Sequence, residues 1–295
     1  MASDRIDVHH HFVPDCYRQA VYACGGDPTR WEVPQWSLKS EEEFMTRHGV
    51  SVAMLSITAP GPCKFGVFAS LPSILDKDLA LKELAFAYDE LKVDGVLLFT
   101  RYGTGHHYLG HPDFKDIWDE LDRRKAVILV HPTAPVDNVG INPKVPVPII
   151  QYPFETTKAA IDLITSKTAR THKNCKIILS HAGGVLPFYV ERPAIVLPTI
   201  SDEFTYDDFI EDARSFYYDT AVVGAGGALA CLQKFAKPDH ILFGSDWCYA
   251  KYVSLDHHVG GLDRFRFDDT NMLQNINRNN ALKLFPRLAA LSGCI

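Results

Sequence analysis

Four residues able to bind a metal stand after short apolar runs of the sequence. His9 and His11 follow the first run, His131 follows AVILV, and Asp246 lies just beyond HILF. Alternate residues of an extended chain face the same way, so His9 and His11 converge while His10 points oppositely. Imidazole and carboxylate together suit Zn²⁺, Fe²⁺ or Mn²⁺ and leave room for water or substrate. The set predicts a catalytic rather than a closed structural metal site.

Each of these residues also has an ordinary structural interpretation. Three adjacent histidines can face solvent, His131 alone can be a core histidine with satisfied hydrogen bonds, and Asp246 can cap a helix within Ser-Asp-Trp. Four suitable residues that all follow apolar runs are improbable in a purely structural chain. The coincidence therefore favours the metal site.

Two further polar residues, His181 and Arg101, also follow apolar runs of the sequence. His181 follows KIILS, and Arg101 follows GVLLFT, where it could pair with a substrate carboxylate or form a surface salt bridge. His106, His107 and His111 form a second histidine group, whose simpler interpretation is a solvated loop. The pair at 257–258 is a weaker candidate.

The apolar runs alternate with longer amphipathic stretches, an order typical of a parallel sheet with crossover helices. The predicted strands are 5–8, 51–57, 66–69, 95–99, 126–130, 176–179, 215–218 and 240–243. The predicted helices are 41–48, 77–91, 114–124, 154–165, 185–190, 226–235 and 271–285. The counts predict an α/β fold, a (β/α)₈ TIM barrel, in which catalytic residues lie at the carboxyl ends of the strands.

Two segments interrupt this pattern. Only Ala59 to Lys64 separates the second and third strands, whereas a parallel crossover needs about a dozen residues or more. Either a helix is missing and the barrel is distorted between strands 2 and 3, or these segments pair differently, or one of them is not a barrel strand. The proline-rich stretch Asn142 to Pro153 is predicted to be a loop over the catalytic face, because proline lacks a donor and restricts its predecessor.

The composition is that of an ordinary globular protein. The 295 residues are 46% hydrophobic and 22% charged, without repeats or composition shifts, so a single domain over 1–295 is predicted. A formal charge of −6 without a basic stripe argues against nucleic acid as a partner. Without a long apolar run or a signal peptide, the chain is expected to be cytoplasmic and not to enter a membrane. Its seven cysteines form no CxxC pair and are predicted to be reduced thiols.

Two common enzyme motifs are missing from the sequence. No Gly-x-Gly-x-x-Gly opens a helix after a strand, and the glycines at 224–227 lack an acidic ribose partner, so a dinucleotide site has no support. No Gly-x-Ser-x-Gly occurs either, which disfavours serine hydrolase chemistry.

Six short motifs occur in order along almost the whole chain. They are DVHHH at 7–11, YLGHP at 108–112, VHPT at 130–133, SHAGG at 180–184, FGSD at 243–246 and NALKLF at 280–285. This series resembles the amidohydrolase superfamily. Within it, the match is to the metal-dependent, non-oxidative decarboxylases related to aminocarboxymuconate semialdehyde decarboxylase and to the salicylate and resorcylate decarboxylases.

The resemblance implies roles for the site residues. His9, His11 and His131 would be metal ligands, Asp246 a ligand or nearby acid, and His181 the catalytic histidine. No residue matches the carboxylated lysine of the binuclear relatives, because the fourth strand is followed by Thr-Arg. One divalent ion is therefore expected, with zinc the first expectation and manganese the alternative.

The implied reaction is loss of CO₂ from a small ortho-hydroxy aromatic carboxylate, such as 6-methylsalicylate, which would give m-cresol. Asp246 would donate the proton with His181 as its partner, and Arg101 would hold the carboxylate. Aromatic residues that could line a dry pocket are Trp36, Phe154 and Trp247. Related barrels dimerise, so a homodimer is expected.

Two other functions stay open. A hydrolase on the same barrel would use the metal to activate water against a lactone or amide, with Asp246 as base. An inactive metal-binding homologue is the non-enzymatic alternative, suggested by the short link Ala59 to Lys64.

Overall fold

Eight short strands rich in Val, Ile and Leu form one parallel sheet that curls into a barrel. The computed structural model describes residues 4–56 and 65–291. Numbered in chain order, the strands are β1 Arg5–His11, β2 Val50–Ser56, β3 Phe65–Ser70, β4 Gly95–Phe99, β5 Val127–His131, β6 Lys176–Leu179, β7 Tyr217–Asp219 and β8 Ile241–Leu242. Each strand pairs with the next in this order. The Val8 amide donates to the Phe243 carbonyl at 3.0 Å and the Asp246 amide to the His9 carbonyl at 2.9 Å, so the barrel nearly closes between β8 and β1. The predicted (β/α)₈ fold is confirmed.

Helices follow the strands. They are α1 Asp15–Ala23, α2 Leu38–His48, α3 Lys77–Asp89, α4 Lys115–Arg123, α5 Val147–Thr165, α6 Thr168–Thr171, α7 Leu186–Tyr189, α8 Glu191–Val196, α9 Tyr206–Ser215, α10 Gly226–Phe235, α11 Tyr252–Arg264, α12 Met272–Gln274, α13 Asn280–Leu284 and α14 Pro286–Leu291. A π-helical segment, Asn275–Asn279, lies between α12 and α13, and a two-stranded antiparallel ribbon, Arg101–Tyr102 with His107–Tyr108, follows β4. Among the described residues, every helix is too short or too polar to cross a bilayer.

The strands bury side chains on both faces. Residues inside the barrel, such as Leu97 and Leu129, belong to one buried cluster. Their sequence neighbours Val96, Leu98 and Ile128 pack in a second cluster between the sheet and the helices. Burial on both faces explains why the strands read as continuous apolar runs rather than as alternating patterns.

β2 and β3 are both barrel strands and pair directly. Ala53 to Ser56 pair in parallel with Phe65 to Phe68 without a shift in register. Phe65, the first residue of β3, stands opposite Ala53, which lies three residues before the end of β2. The start of β3 is therefore only about 10 Å along the strand direction from the end of β2. Two of the three alternatives, a different pairing and a segment outside the barrel, are therefore wrong. The described parts of the two strands show no distortion of register, and the link Ala59 to Lys64 itself falls outside the described residues.

The prediction of a loop over Asn142 to Pro153 is wrong for residues 147–153, which are helical. The helix α5 begins at Val147 and includes Pro148 and Pro153. Pro148 is tolerated because the amides of a first helical turn have no partner within the helix. Pro153 removes one hydrogen bond inside the helix, and its own carbonyl accepts a second bond from Thr157 Oγ1 at 2.8 Å.

Candidate metal centre and active site

A β-bulge in β1 turns two histidines into the barrel. Val8 and His9 together stand opposite the single residue Met54 of β2. The extra residue shifts the alternation of the strand by one position, so His9 and His11 face inward. His10 faces outward against α2.

Four of the candidate ligands meet at the carboxyl ends of β1, β5 and β8. The donor atoms of His9, His11, His131 and Asp246 all lie within 4.8 Å of one another. Asp246 Oδ1 is 3.5 Å from His9 Nε2 and 3.2 Å from His11 Nε2, and these two nitrogens are 3.2 Å apart. The His131 ring lies 5.2 Å from that of His9 and 4.9 Å from that of His11, measured between centroids. Three imidazoles and a carboxylate at these distances fit a single divalent ion.

The other ring nitrogens of the three histidines face partners outside the centre. The pairs are His9 Nδ1 with Asp219 Oδ2 at 2.8 Å, His11 Nδ1 with Ser56 Oγ at 2.9 Å, and His131 Nδ1 with the Pro132 carbonyl at 2.8 Å. Such partners fix the orientation of each ring and leave its Nε2 lone pair directed at the centre, as in metal-bound histidines generally.

Burial and neighbouring charges set the protonation of the centre. Burial, followed by the charges of His11 and His9, lowers the pKa of His131 well below its usual value. Burial also lowers the pKa of His11. Burial alone would raise the pKa of Asp246, but hydrogen bonds from His11 and His181 outweigh it and hold this pKa well below its usual range. A neutral imidazole and an ionised carboxylate are the forms that bind metals.

His181 lies beside the Asp246 carboxylate. Its Nε2 is 3.6 Å from Asp246 Oδ2, and its ring centroid is 4.9 Å from that of His9. The His181 backbone amide donates to Asp219 Oδ1 at 2.9 Å. The two oxygens of Asp219 therefore hold the His9 ring and the His181 backbone in fixed relation.

Asp219 is a site residue that the sequence analysis missed. It is fully buried and ends β7, one residue beyond the predicted strand 215–218. The same rule that identified the other candidates, a polar residue directly after an apolar run, would have found it.

Two of the site residues have unusual backbone geometry. Asp246 has a φ of 66° and His181 a φ of 55°, followed by Ala182 at 56°. Non-glycine residues adopt this left-handed region rarely, at a cost of about 1 kcal/mol or more each. The surrounding hydrogen bonds must offset that cost to keep both side chains turned into the site.

A second buried network lies behind the centre. His10 Nδ1 is 2.9 Å from Asp7 Oδ2, and His10 Nε2 is 2.8 Å from Glu41 Oε1 on α2. Burial alone would lower the pKa of His10, but the two carboxylates raise it to about 9. Asp7 Oδ1 also accepts the backbone amides of His9 at 3.1 Å and Ser245 at 3.0 Å. The network thus links α2 to the backbone beside His9 and beside Asp246, at both ends of the candidate ligand set.

A cleft of about 720 Å³ opens onto the candidate ligands. His11, His131, His181 and Asp246 form part of its lining. The remaining wall is largely apolar and aromatic, and includes Trp31, Leu97, Phe99, Tyr152, Val222 and Tyr249. An apolar wall with a few convergent polar groups is the usual form of a small-molecule site.

The three aromatic residues predicted to line a pocket lie elsewhere. Trp36 packs edge-on against Phe12 with the ring centroids 4.2 Å apart, and Trp247 stacks on Phe44 with the ring centroids 4.8 Å apart. Phe154 is exposed on α5. None of the three contributes to the lining of the described cleft.

Arg101 lies outside the lining of the cleft as well. Its Nε donates to the Ala134 carbonyl at 2.8 Å, and its Nη1 donates to the Gly103 carbonyl at 2.8 Å. Ala134 and Thr133 do line the cleft. The structure therefore places the Arg101 guanidinium against the loop that forms the wall, and not against the space a substrate would fill.

The chain is similar in sequence to known decarboxylases. Residues 64–287 match the family model described as amidohydrolase. Over 322 aligned residues the chain is 41% identical to the 6-methylsalicylic acid decarboxylase of Aspergillus aculeatus, and the alignment covers 96% of each protein.

Solved structures show the same fold. One described as amidohydrolase II superposes with a TM-score of 0.85 at 26% identity, over 96% of this chain and 100% of that one. A dihydroxybenzoic acid decarboxylase from Polaromonas sp. JS666, solved with manganese and the inhibitor 2-nitroresorcinol, superposes with a TM-score of 0.77 at 20% identity. That alignment covers 96% of this chain and 97% of the other.

Proposed function

The chain belongs to the amidohydrolase family, and from this premise we propose that it is a metal-dependent decarboxylase of an ortho-hydroxy aromatic acid. The proposed reaction converts 6-methylsalicylate to m-cresol and CO₂. The observation that carries the proposal is the convergence of three imidazoles and one carboxylate, with His181 beside them, on a largely apolar cleft. Similarity to a 6-methylsalicylic acid decarboxylase over nearly the whole chain supports the choice of substrate.

The proposed metal ligands are His9, His11, His131 and Asp246. A divalent ion in this site would supply positive charge to offset the negative charges of a phenolate and a carboxylate on adjacent ring carbons. We expect zinc, with manganese as the alternative, since both accept imidazole and carboxylate donors. The manganese bound in the dihydroxybenzoic acid decarboxylase of the same fold supports the choice of a divalent ion.

Asp246 and His181 are the proposed catalytic residues. Because its pKa is held low, the Asp246 carboxylate is ionised at rest and can take the proton of the substrate hydroxyl. It then delivers this proton to the ring carbon that bears the carboxylate. The carbon–carbon bond breaks, CO₂ leaves, and the electron pair of that bond restores the aromatic ring. His181 returns a proton from solvent to the phenolate of the product.

The rest of the cleft favours this step by excluding water from the ring. Tyr152 and Tyr249 lie against the ligands, with ring centroids 6.3 Å from His131 and 5.0 Å from His11 respectively. In such surroundings a fixed charge acts more strongly on the reacting carboxylate than it would in water. We assign Arg101 a positioning role, because its guanidinium holds the Ala134 carbonyl of the wall.

A panel of salicylates, their methyl ethers, and aromatic lactones and amides tests the reaction class. The metal-loaded protein should release CO₂ from 6-methylsalicylate, and release should fall at least about 100-fold for the methyl ether of the hydroxyl, which lacks the proton that Asp246 takes. Hydrolysis of aromatic lactones or amides without CO₂ from any salicylate would instead support a hydrolase.

A homodimer in the cytoplasm is the proposed state of the protein. Large apolar side chains are exposed close together in sequence, on α7, α8 and the turn after it, with Phe188 83% and Ile200 73% exposed. Clusters of this kind mark protein interfaces. The five cysteines among the described residues are free, as expected in a reducing compartment.

A further inference from the structure

A second group of metal-binding side chains lies at the ribbon that follows β4. His107 belongs to the second strand of the ribbon, and His111 caps the short 3₁₀ helix Pro112–Phe114, which contains Asp113. None of the three side chains lines the cleft. The decarboxylation proposed above makes no use of them.

The donor atoms of this group stand at the separations that a metal requires. Asp113 Oδ2 is 3.6 Å from His107 Nε2 and 3.4 Å from His111 Nδ1. The two histidine ring centroids are 4.3 Å apart, and one donor atom from each residue lies within 4.8 Å of the others. Ligands of a tetrahedral ion at bond lengths of about 2.0–2.2 Å are about 3.3–3.6 Å apart.

Ordered backbone holds these side chains in place. His107 pairs with Tyr102 across the ribbon, and the His111 amide donates to the Tyr108 carbonyl at 3.0 Å. The Tyr108 hydroxyl donates to Glu155 Oε2 at 2.8 Å and so fixes the ribbon to α5. Because folding has already fixed the backbone, an ion binding here would need to order only the side chains.

The site is open to an ion from solvent. The side chains of His107, His111 and Asp113 are 34%, 35% and 62% exposed. His111 Nδ1 accepts one bond, from the Asp113 amide at 3.3 Å, which is long enough for an ion to displace. Water would complete the coordination, since only three protein ligands are present.

We propose that His107, His111 and Asp113 form a second binding site for a divalent transition-metal ion, separate from the catalytic centre. The two imidazoles favour Cu²⁺, Ni²⁺ and Zn²⁺ over Mn²⁺, following the usual order of affinities. The ion would connect the ribbon to the 3₁₀ helix and take no part in the reaction, because the site lies outside the cleft.

Metal titration of the loaded protein tests this site. Protein that already holds one equivalent of zinc is titrated with Ni²⁺ in a calorimeter. The wild type should bind one further equivalent, and the double variant His107→Ala/His111→Ala should bind it at least about 100-fold more weakly. The variant His106→Ala removes the neighbouring histidine of the same run and should bind the second ion as the wild type does.

Electron paramagnetic resonance with Cu²⁺ as the added metal gives an independent readout. The spectrum of the second equivalent should show coupling to two imidazole nitrogens, and this coupling should vanish in the double variant. A wild type that binds no second ion, or a double variant that binds it unchanged, would overturn the proposal. CO₂ release measured before the second metal is added reports on the catalytic centre separately, so the two proposals can fail independently.

Discussion

At the scale of residues, the direction of each donor atom decides what the site can do. His9 illustrates this, because its Nε2 faces the candidate ligands while its Nδ1 is held by Asp219. Spacing in the sequence identified His9 and His11 as a pair, since alternate residues of a strand share a face. The β-bulge that makes this shared face the inner one depends on pairing with β2, which no local pattern in β1 reveals.

Replacing the carboxylate behind His9 should weaken metal binding. The variant Asp219→Asn keeps the size of the side chain but removes the charge that orients and polarises the His9 ring, so metal affinity should fall about 10–100-fold. Competition with a fluorescent chelator measures the change. Asp239→Asn, at an exposed position, is the matched control. Unchanged affinity in Asp219→Asn would contradict the role given to this residue.

Metal binding should also depend on pH through His9. Burial lowers the pKa of this histidine, but the charge and hydrogen bond of Asp219 outweigh burial and raise the pKa above 6.5. Without metal, His9 is therefore protonated at pH 6.5 and below, and an ion must displace that proton. Affinity should weaken about tenfold for each pH unit below the raised pKa. Calorimetry in buffers of different ionisation enthalpy should detect about one proton released per ion near pH 6.5, and no release would refute this protonation state.

At the scale of elements, the strands were easier to predict than the helices. Each predicted strand corresponds to an observed one within a few residues, because burial on both faces gives continuous apolar runs. The helix α1 was missed because none of its residues is fully buried, and its apolar residues Tyr17 and Val21 line the cleft instead. The helix α11 buries Leu255, Val259 and Leu262 at helical spacing, but its two adjacent glycines and pair of histidines obscured the pattern.

The contact between β1 and α2 should make stability depend on pH. The pKa of His10 is raised to about 9, so its ion pairs with Asp7 and Glu41 stabilise the fold fully below pH 6.5 and are lost as pH rises through 9. The rise in the pKa of His10 from 6.5 to about 9 corresponds to at most about 3 kcal/mol in the free energy of unfolding. Urea unfolding of metal-free protein at pH 6.5 and pH 9 measures it. In His10→Gln this pH dependence should disappear, whereas the exposed variant His257→Gln should retain it. An equal dependence in His10→Gln would show that other groups cause it.

At the scale of the whole molecule, counting strands and helices was enough to predict the barrel. The candidate ligands His9 and Asp246, more than 200 residues apart in sequence, come together because a barrel places the carboxyl ends of all its strands on one face. The cleft wall was harder to predict, since it is made by α1 and the residues after it, by α5, and by the loops that follow β5, β7 and β8. The packing of those segments, and not their composition, placed Trp247 in the core against Phe44 and brought Tyr152 and Tyr249 to the candidate ligands.

The proposed homodimer should depend on the exposed apolar segment around α7 and α8. In Phe188→Asp a charge would be buried at the interface, so sedimentation should show mainly monomer at concentrations where the wild type is a dimer. Val253→Asp changes an equally exposed apolar residue, 85% exposed on α11, and should leave the dimer intact. A monomeric wild type, or a Phe188→Asp variant that remains dimeric, would contradict this assignment.

The most direct test of the central claim is to measure metal content and CO₂ release on the same samples of wild type and His131→Ala. The wild type should hold about one tightly bound divalent ion per chain and release CO₂ from 6-methylsalicylate. In His131→Ala both should be lost together, while the exposed variant His257→Ala keeps both. A metal-free wild type that still releases CO₂, or a His131→Ala protein with full activity, would contradict a metal-dependent decarboxylase built on this site.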